Sequence, residues 1–135
     1  NWEVRGYSGN KSKTHVYQRA ANGTLSFIGG DWQENQIRFK TRNFGSFVLA
    51  EDAVKPTISP VKTSSQGMRF TIKDNLSGIK NFEAYVNGEW IWMRYEHKQN
   101  VIWSEPLQGQ TLKGAVLLKV TDQADNVAEW RGTLN

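Results

Sequence analysis

Apolar and polar residues alternate with a period of two along much of this chain. Met68, Phe70 and Ile72 alternate with Arg69, Thr71 and Lys73, and Val116, Leu118 and Val120 alternate with their neighbours. Ile37 and Phe39 fall on one side of 36–41, with Arg38, Lys40 and Arg42 on the other. Successive side chains of an extended strand point to opposite faces, so each stretch predicts a half-buried β-strand. The same reading places strands at 2–7, 14–19, 24–28, 46–50, 99–104 and 127–133, the last anchored by Trp130. Turn residues separate them: Ser8-Gly9-Asn10, Ala21-Asn22-Gly23, Asn43-Phe44-Gly45, Asp74 to Gly78 and Asp122 to Asn126. No stretch has convincing helical amphipathicity. Only 89–99, which lacks breakers, is ambiguous, and its β-branched and aromatic residues favour strand.

The strongest local signal is Asn87-Gly88 between Phe82–Val86 and Glu89–Tyr95. Asn-Gly between two β-rich runs predicts a two-residue hairpin, because both central residues need φ > 0. That turn sets the register: Val86 faces Glu89, Tyr85 faces Trp90, Ala84 faces Ile91, Glu83 faces Trp92 and Phe82 faces Met93. Phe82, Ala84, Ile91, Met93 and Tyr95 then make a core face. Tyr85, Trp90, Trp92, Glu83 and Arg94 share the opposite one.

Residues 51–60 read as a linker, since Pro56 and Pro60 remove backbone donors. The chain divides near Val54 into a small β-meander, 1–53, and a larger antiparallel sandwich, 54–135. A piece of about 50 residues buries too little surface to stand comfortably alone. The two parts are therefore expected to dock through apolar contacts, with Pro56 stiffening the joint.

Composition narrows the function. Six tryptophans and six phenylalanines supply bulky core material in 135 residues. The absence of cysteine excludes disulfides and thiolate metal sites. No run approaches the roughly 18 apolar residues of a membrane span. The net charge of +4 is scattered, without the dense basic footprint of a nucleic-acid binder. The Arg38–Lys40–Arg42 row reads as a solvated strand face, with an anionic polymer as its other reading. The start at Asn1 suggests a segment excised from a longer protein.

Catalytic groups are sparse. His15 and His97 fall in different parts, and no zinc motif or Ser-His-Asp set can be drawn. A glycosidase pair of acids lacks an element to build its cleft. Asp74, Asp122, Asp125 and Asn126 sit in two turns that can share one end of a sandwich. They could hold a structural Ca²⁺ through oxygen, or simply make Asx bonds to turn backbone. Tyr85, Trp90, Trp92 and Arg94 are the candidate ligand-binding residues, because rings on a flat sheet face can stack on sugars. The competing account is that these rings pack against neighbouring structure.

Several motifs in order carry a family resemblance. They are Phe44-Gly45-Ser46-Phe47 running to Asp52, Pro56-Thr57-Ile58, Asp74-Asn75-Leu76-Ser77-Gly78-Ile79, Tyr85-Val86-Asn87-Gly88-Glu89-Trp90, and Thr121-Asp122-Gln123-Ala124-Asp125-Asn126. Over about residues 14–133 the chain resembles the C-terminal, non-catalytic β-sandwich region of envelope proteins in the lysostaphin-type zinc metallopeptidase family of Gram-negative bacteria. The resemblance implies an all-β fold, an immunoglobulin-like antiparallel sandwich preceded by a meander or partial sandwich. It implies a periplasmic or other cell-envelope location and a spacer or targeting role beside a catalytic domain upstream in the same chain. Peptidoglycan or another glycan is the implied ligand, and nucleic acid or membrane insertion is not expected. The family's zinc ligands, a His and Asp pair plus His-x-His, match no position here, so no catalytic residue carries over. Asp125 stands where the module usually has Gly, which questions a turn with φ > 0 there.

Overall fold

The alternating stretches are strands in the computed structural model, which describes residues 1–42 and 44–135. The first part contains β1 (Trp2–Glu3), β2 (Thr14–Arg19), β3 (Leu25–Gly29), β4 (Asp31–Gln33), β5 (Gln36–Arg38) and β6 (Ser46–Glu51). They make two antiparallel three-stranded sheets, ordered β1-β5-β4 and β3-β2-β6. A 3₁₀ turn at Lys11–Lys13, capped by the Asn10 side chain, leads into β2. Val16, Tyr17 and Ile37 are fully buried in this part. Around them Tyr7 stacks on Trp32, Tyr17 meets Phe27 edge-on, and Phe39 leans on Phe47. The strand expected over 36–41 stops at Arg38, and Arg38, Lys40 and Arg42 are solvated. Of the turn expected at 43–45, Asn43 lies outside the described residues.

The second part contains β7 (Thr57–Ser64), β8 (Gly67–Lys73), β9 (Ile79–Val86), β10 (Glu89–Ile91), β11 (Met93–Glu96), β12 (Val101–Ser104), β13 (Gly114–Asp122) and β14 (Val127–Leu134). Its sheets run β10-β9-β13-β14 and β11-β12-β8-β7. Both feed one core: Met68, Phe70, Ile72 and Ile102 from one side, and Ala84, Val86, Ile91, Val116, Leu118 and Val120 from the other. Trp130 packs against this core with its ring edge-on to Phe70, 5.0 Å between centroids. Burying a side chain such as Phe70 stabilises the fold by roughly 1.5–3 kcal/mol. The all-β, sandwich-type architecture expected from alternation is therefore the one observed.

Two expectations need correction. Residues 57–60 are not linker but the start of β7, which runs through Pro60. Pro60 is tolerated because β7 is an edge strand, and the register against β8 slips between Pro60 and Lys62. The hairpin is also shorter than its turn suggested. Val86–Glu89, Tyr85–Trp90 and Ala84–Ile91 pair as expected, but Glu83–Trp92 and Phe82–Met93 do not. At Trp92 the chain leaves β9 and joins the opposite sheet, where Met93 pairs with Ser104 and Arg94 with Trp103. The extended chain keeps its alternation through this crossing, so Ile91 and Met93 are buried while Trp90, Trp92 and Arg94 stay outside, but Tyr95, expected in the core face, is exposed.

Candidate functional site

The aromatic face divides under this crossing. Trp90 and Trp92 are 46% and 51% exposed and meet edge-to-face, with centroids 6.0 Å apart. They flank a shallow apolar cleft of about 210 Å³ where β10 leaves β9, lined also by Phe82, Ala84, Ile91 and Met93. Gln110 fastens the neighbouring loop to this corner, its side-chain amide donating to the Trp90 carbonyl and to Glu89. Tyr85 pairs with Trp90 in register but lines a separate depression with Leu117, Lys119 and Arg131. Its hydroxyl donates to Glu83. Arg94 lies on the other sheet in an ion pair with Glu105. Of the four candidate ligand-binding residues, only the two tryptophans share a cleft.

A second constellation lies where the two parts meet. Asp52 follows β6, Asp74 follows β8 and Asp122 ends β13. One carboxylate oxygen from each lies within 4.8 Å of the others. Asp52 and Asp122 are buried, 1% and 0% exposed, and Asp74 is partly so. Each acid also holds a turn. Asp74 Oδ2 accepts from the backbone of Leu76 and Gly78, and Asp122 Oδ1 from that of Ala124 and Asn126. Asp52 accepts from Val54 N and from both the backbone and the hydroxyl of Ser77. Asp74 Oδ1 is buried without a hydrogen-bond partner.

Electrostatics follow from this crowding. Burial raises the Asp74 carboxyl to about 6, with the charges of Asp52 and Asp122 adding to it against the bonds from Gly78 and Leu76. Burial pushes Asp52 the same way, but hydrogen bonds from Ser77, Val54 and Asp74 outweigh it and hold Asp52 below its ordinary value. Between Asp52 and Asp74, a proton therefore goes to Asp74. Tyr17, fully buried on β2, faces the same charges. Burial and then Asp52, Asp74 and Asp122 push its phenol well up. Ser77 eases that shift without reaching hydrogen-bonding geometry, so the phenol oxygen has no partner.

The structure thus unites Asp74 and Asp122, as expected, but replaces the other two members of the predicted calcium set. Asp125 points outward, its side chain 68% exposed and 2.9 Å from Lys80, whose hydrogen bond and then charge hold its carboxyl below its ordinary value. It adopts φ 62°, so the turn with positive φ persists without glycine. Asn126 directs its amide nitrogen to the Asp52 carbonyl and to Asp122 Oδ2, bracing the acids. Asp52 was missed as a site residue because it is 22 positions from Asp74 and 70 from Asp122 in sequence. Its signal was an acid, next to Glu51, at the end of a β-rich run.

Polar contacts join the two parts. Besides the Asp52–Ser77 and Asn126–Asp52 bonds, Lys13 Nζ donates to the Ala124 carbonyl, and Lys13 O accepts from Asp52 N within the first part. Pro56 is buried beside this joint. No known protein family, curated protein or solved structure matches the chain.

Proposed function

We propose that this chain is a non-catalytic accessory region of a cell-envelope, peptidoglycan-cleaving metallopeptidase, acting as a spacer and targeting module. The order of motifs resembling that family supports the reading. The observation that carries it is the hydrogen-bonded junction through Asp52, Ser77, Asn126 and Lys13. A joint with buried charge-assisted bonds gives a stiff two-part arm, which suits a module that holds an enzyme at a set distance from its polymer. Isolated protein incubated with purified peptidoglycan sacculi and zinc is expected to release no soluble fragments. Release of fragments would overturn the non-catalytic assignment.

A second reading, a carbohydrate-binding module, is favoured by the exposed Trp90–Trp92 pair. Indoles offer flat apolar faces to sugar rings at little conformational cost. Calorimetric titration with soluble peptidoglycan fragments and with unrelated glycans separates the readings. Heat that disappears in Trp92→Ala supports the binding module, and silence with every glycan supports the spacer.

A further inference from the structure

We propose that the Asp52–Asp74–Asp122 cluster is a calcium site that clamps the two β-sheet parts together. Two oxygens bound to one ion can be no further apart than twice the metal–oxygen distance. That limit is about 4.6–5.2 Å for Ca²⁺ and about 4.0–4.2 Å for Mg²⁺. The three carboxylate oxygens, all within 4.8 Å of one another, lie inside the span that one Ca²⁺ can bridge. All three ligands are hard, anionic oxygens, the donor type that Ca²⁺ prefers.

Turn-forming acids alone would not make the case. The independent observation is Tyr17 on β2, which makes none of the turn bonds. It is 0% exposed, its hydroxyl has no hydrogen-bond partner among the described residues, and it lies within the field of all three carboxylates. Leaving a buried hydroxyl unsatisfied costs about 1–3 kcal/mol. A hydrated cation held by the three acids accounts for both features. Its charge balances the carboxylates, and a water in its shell can accept from the phenol.

The arrangement also explains which protein groups are spent elsewhere. One oxygen of Asp74 is committed to turn backbone and the other, Oδ1, is buried and unpaired. Asn126 uses its side-chain nitrogen to orient Asp52 and Asp122. Ligands come from the end of β6, the turn after β8 and the end of β13, so an ion bound there crosslinks the first part to both sheets of the second.

The test is calorimetric titration of the chelator-treated whole chain with calcium chloride alone, up to about 10 mM, ten times the weakest affinity usual for extracellular calcium modules. One ion per chain and a melting temperature raised by several degrees are expected. Magnesium at the same concentration should give at most a tenth of that affinity. Asp74→Asn keeps an oxygen acceptor for the turn and should weaken calcium at least tenfold, while Asp125→Asn leaves it unchanged. No heat and no thermal shift with wild-type protein would overturn the proposal, whatever the variants do. Equal response to magnesium, or loss in Asp125→Asn with retention in Asp74→Asn, would also overturn it.

Discussion

Asp74 is the residue at which stability and pH should meet. Its carboxyl titrates at about 6 in the folded chain against 3.8 for an ordinary aspartate. The native state then holds a proton that the unfolded chain has lost. Stability from this group is complete below pH 3.8, falls between 3.8 and about 6, and is gone above that window. Asp74→Asn mimics the protonated acid, since its amide oxygen can keep the Leu76 and Gly78 bonds while the carboxylate's charge is gone. In chelator, thermal melts across pH 4–8 should show the variant gaining on wild type as pH rises, by a few degrees above about pH 6. A difference independent of pH would mean that Asp74 is not strained by its neighbours. Ser77→Ala removes two partners of this network at once, the hydroxyl bond to Asp52 and the contact to Asp74. Urea unfolding should register a loss of about 1–3 kcal/mol.

Among elements, the β9–β10 hairpin carries the sharpest prediction. Asn87 and Gly88 have φ of 51° and 78°, the left-handed pair that a tight hairpin requires. The turn is also tied to β13: Asn87 Nδ2 donates to Lys113 O, and Asn87 Oδ1 accepts from Ala115 N. A Cβ on Gly114, at φ 113°, would overlap that Asn87 side chain. Asn87→Ala loses both side-chain bonds and the residue most tolerant of its φ. A cost of about 2–4 kcal/mol is expected by chemical denaturation, combining roughly 0.5–1.5 kcal/mol for each of the two hydrogen bonds with about 1 kcal/mol for the backbone. The hairpin was legible because its turn chemistry is local. Its early end was not. Where β10 abandons β9 depends on β12 offering a second edge, and β12 lies ten residues further on.

At the scale of the whole molecule, buried polar side chains gather at the joint. Asp52, Ser77, Asp122 and Asn126 are buried polar side chains that all lie there, while the larger apolar core sits wholly within the second part. Asp52→Ala leaves Ser77 and Val54 without their acceptor. Hydrogen bonds to charged groups contribute about 1.5–3 kcal/mol, so the open population of the segment 53–56 should rise roughly ten- to hundredfold. Limited proteolysis should cut there faster by a similar factor, since cleavage follows the opened fraction. An unchanged rate would show that the joint is held by other contacts.

The sequence alone determined what period and turn chemistry control. These are an all-β chain, strands such as 14–19 that match to the residue, the Asn87-Gly88 reversal, and rings sorted to opposite faces. Each depends on residues a few positions apart, within the reach of backbone sterics and alternation. Only the tertiary structure decided that Pro60 sits on an edge strand, that Trp90 and Trp92 share a cleft without Tyr85 or Arg94, and that Asp52 joins Asp74 and Asp122. Those features depend on which strands lie side by side and which ends of the sheets meet. Distance along the chain carries no trace of that when the partners are tens of residues apart.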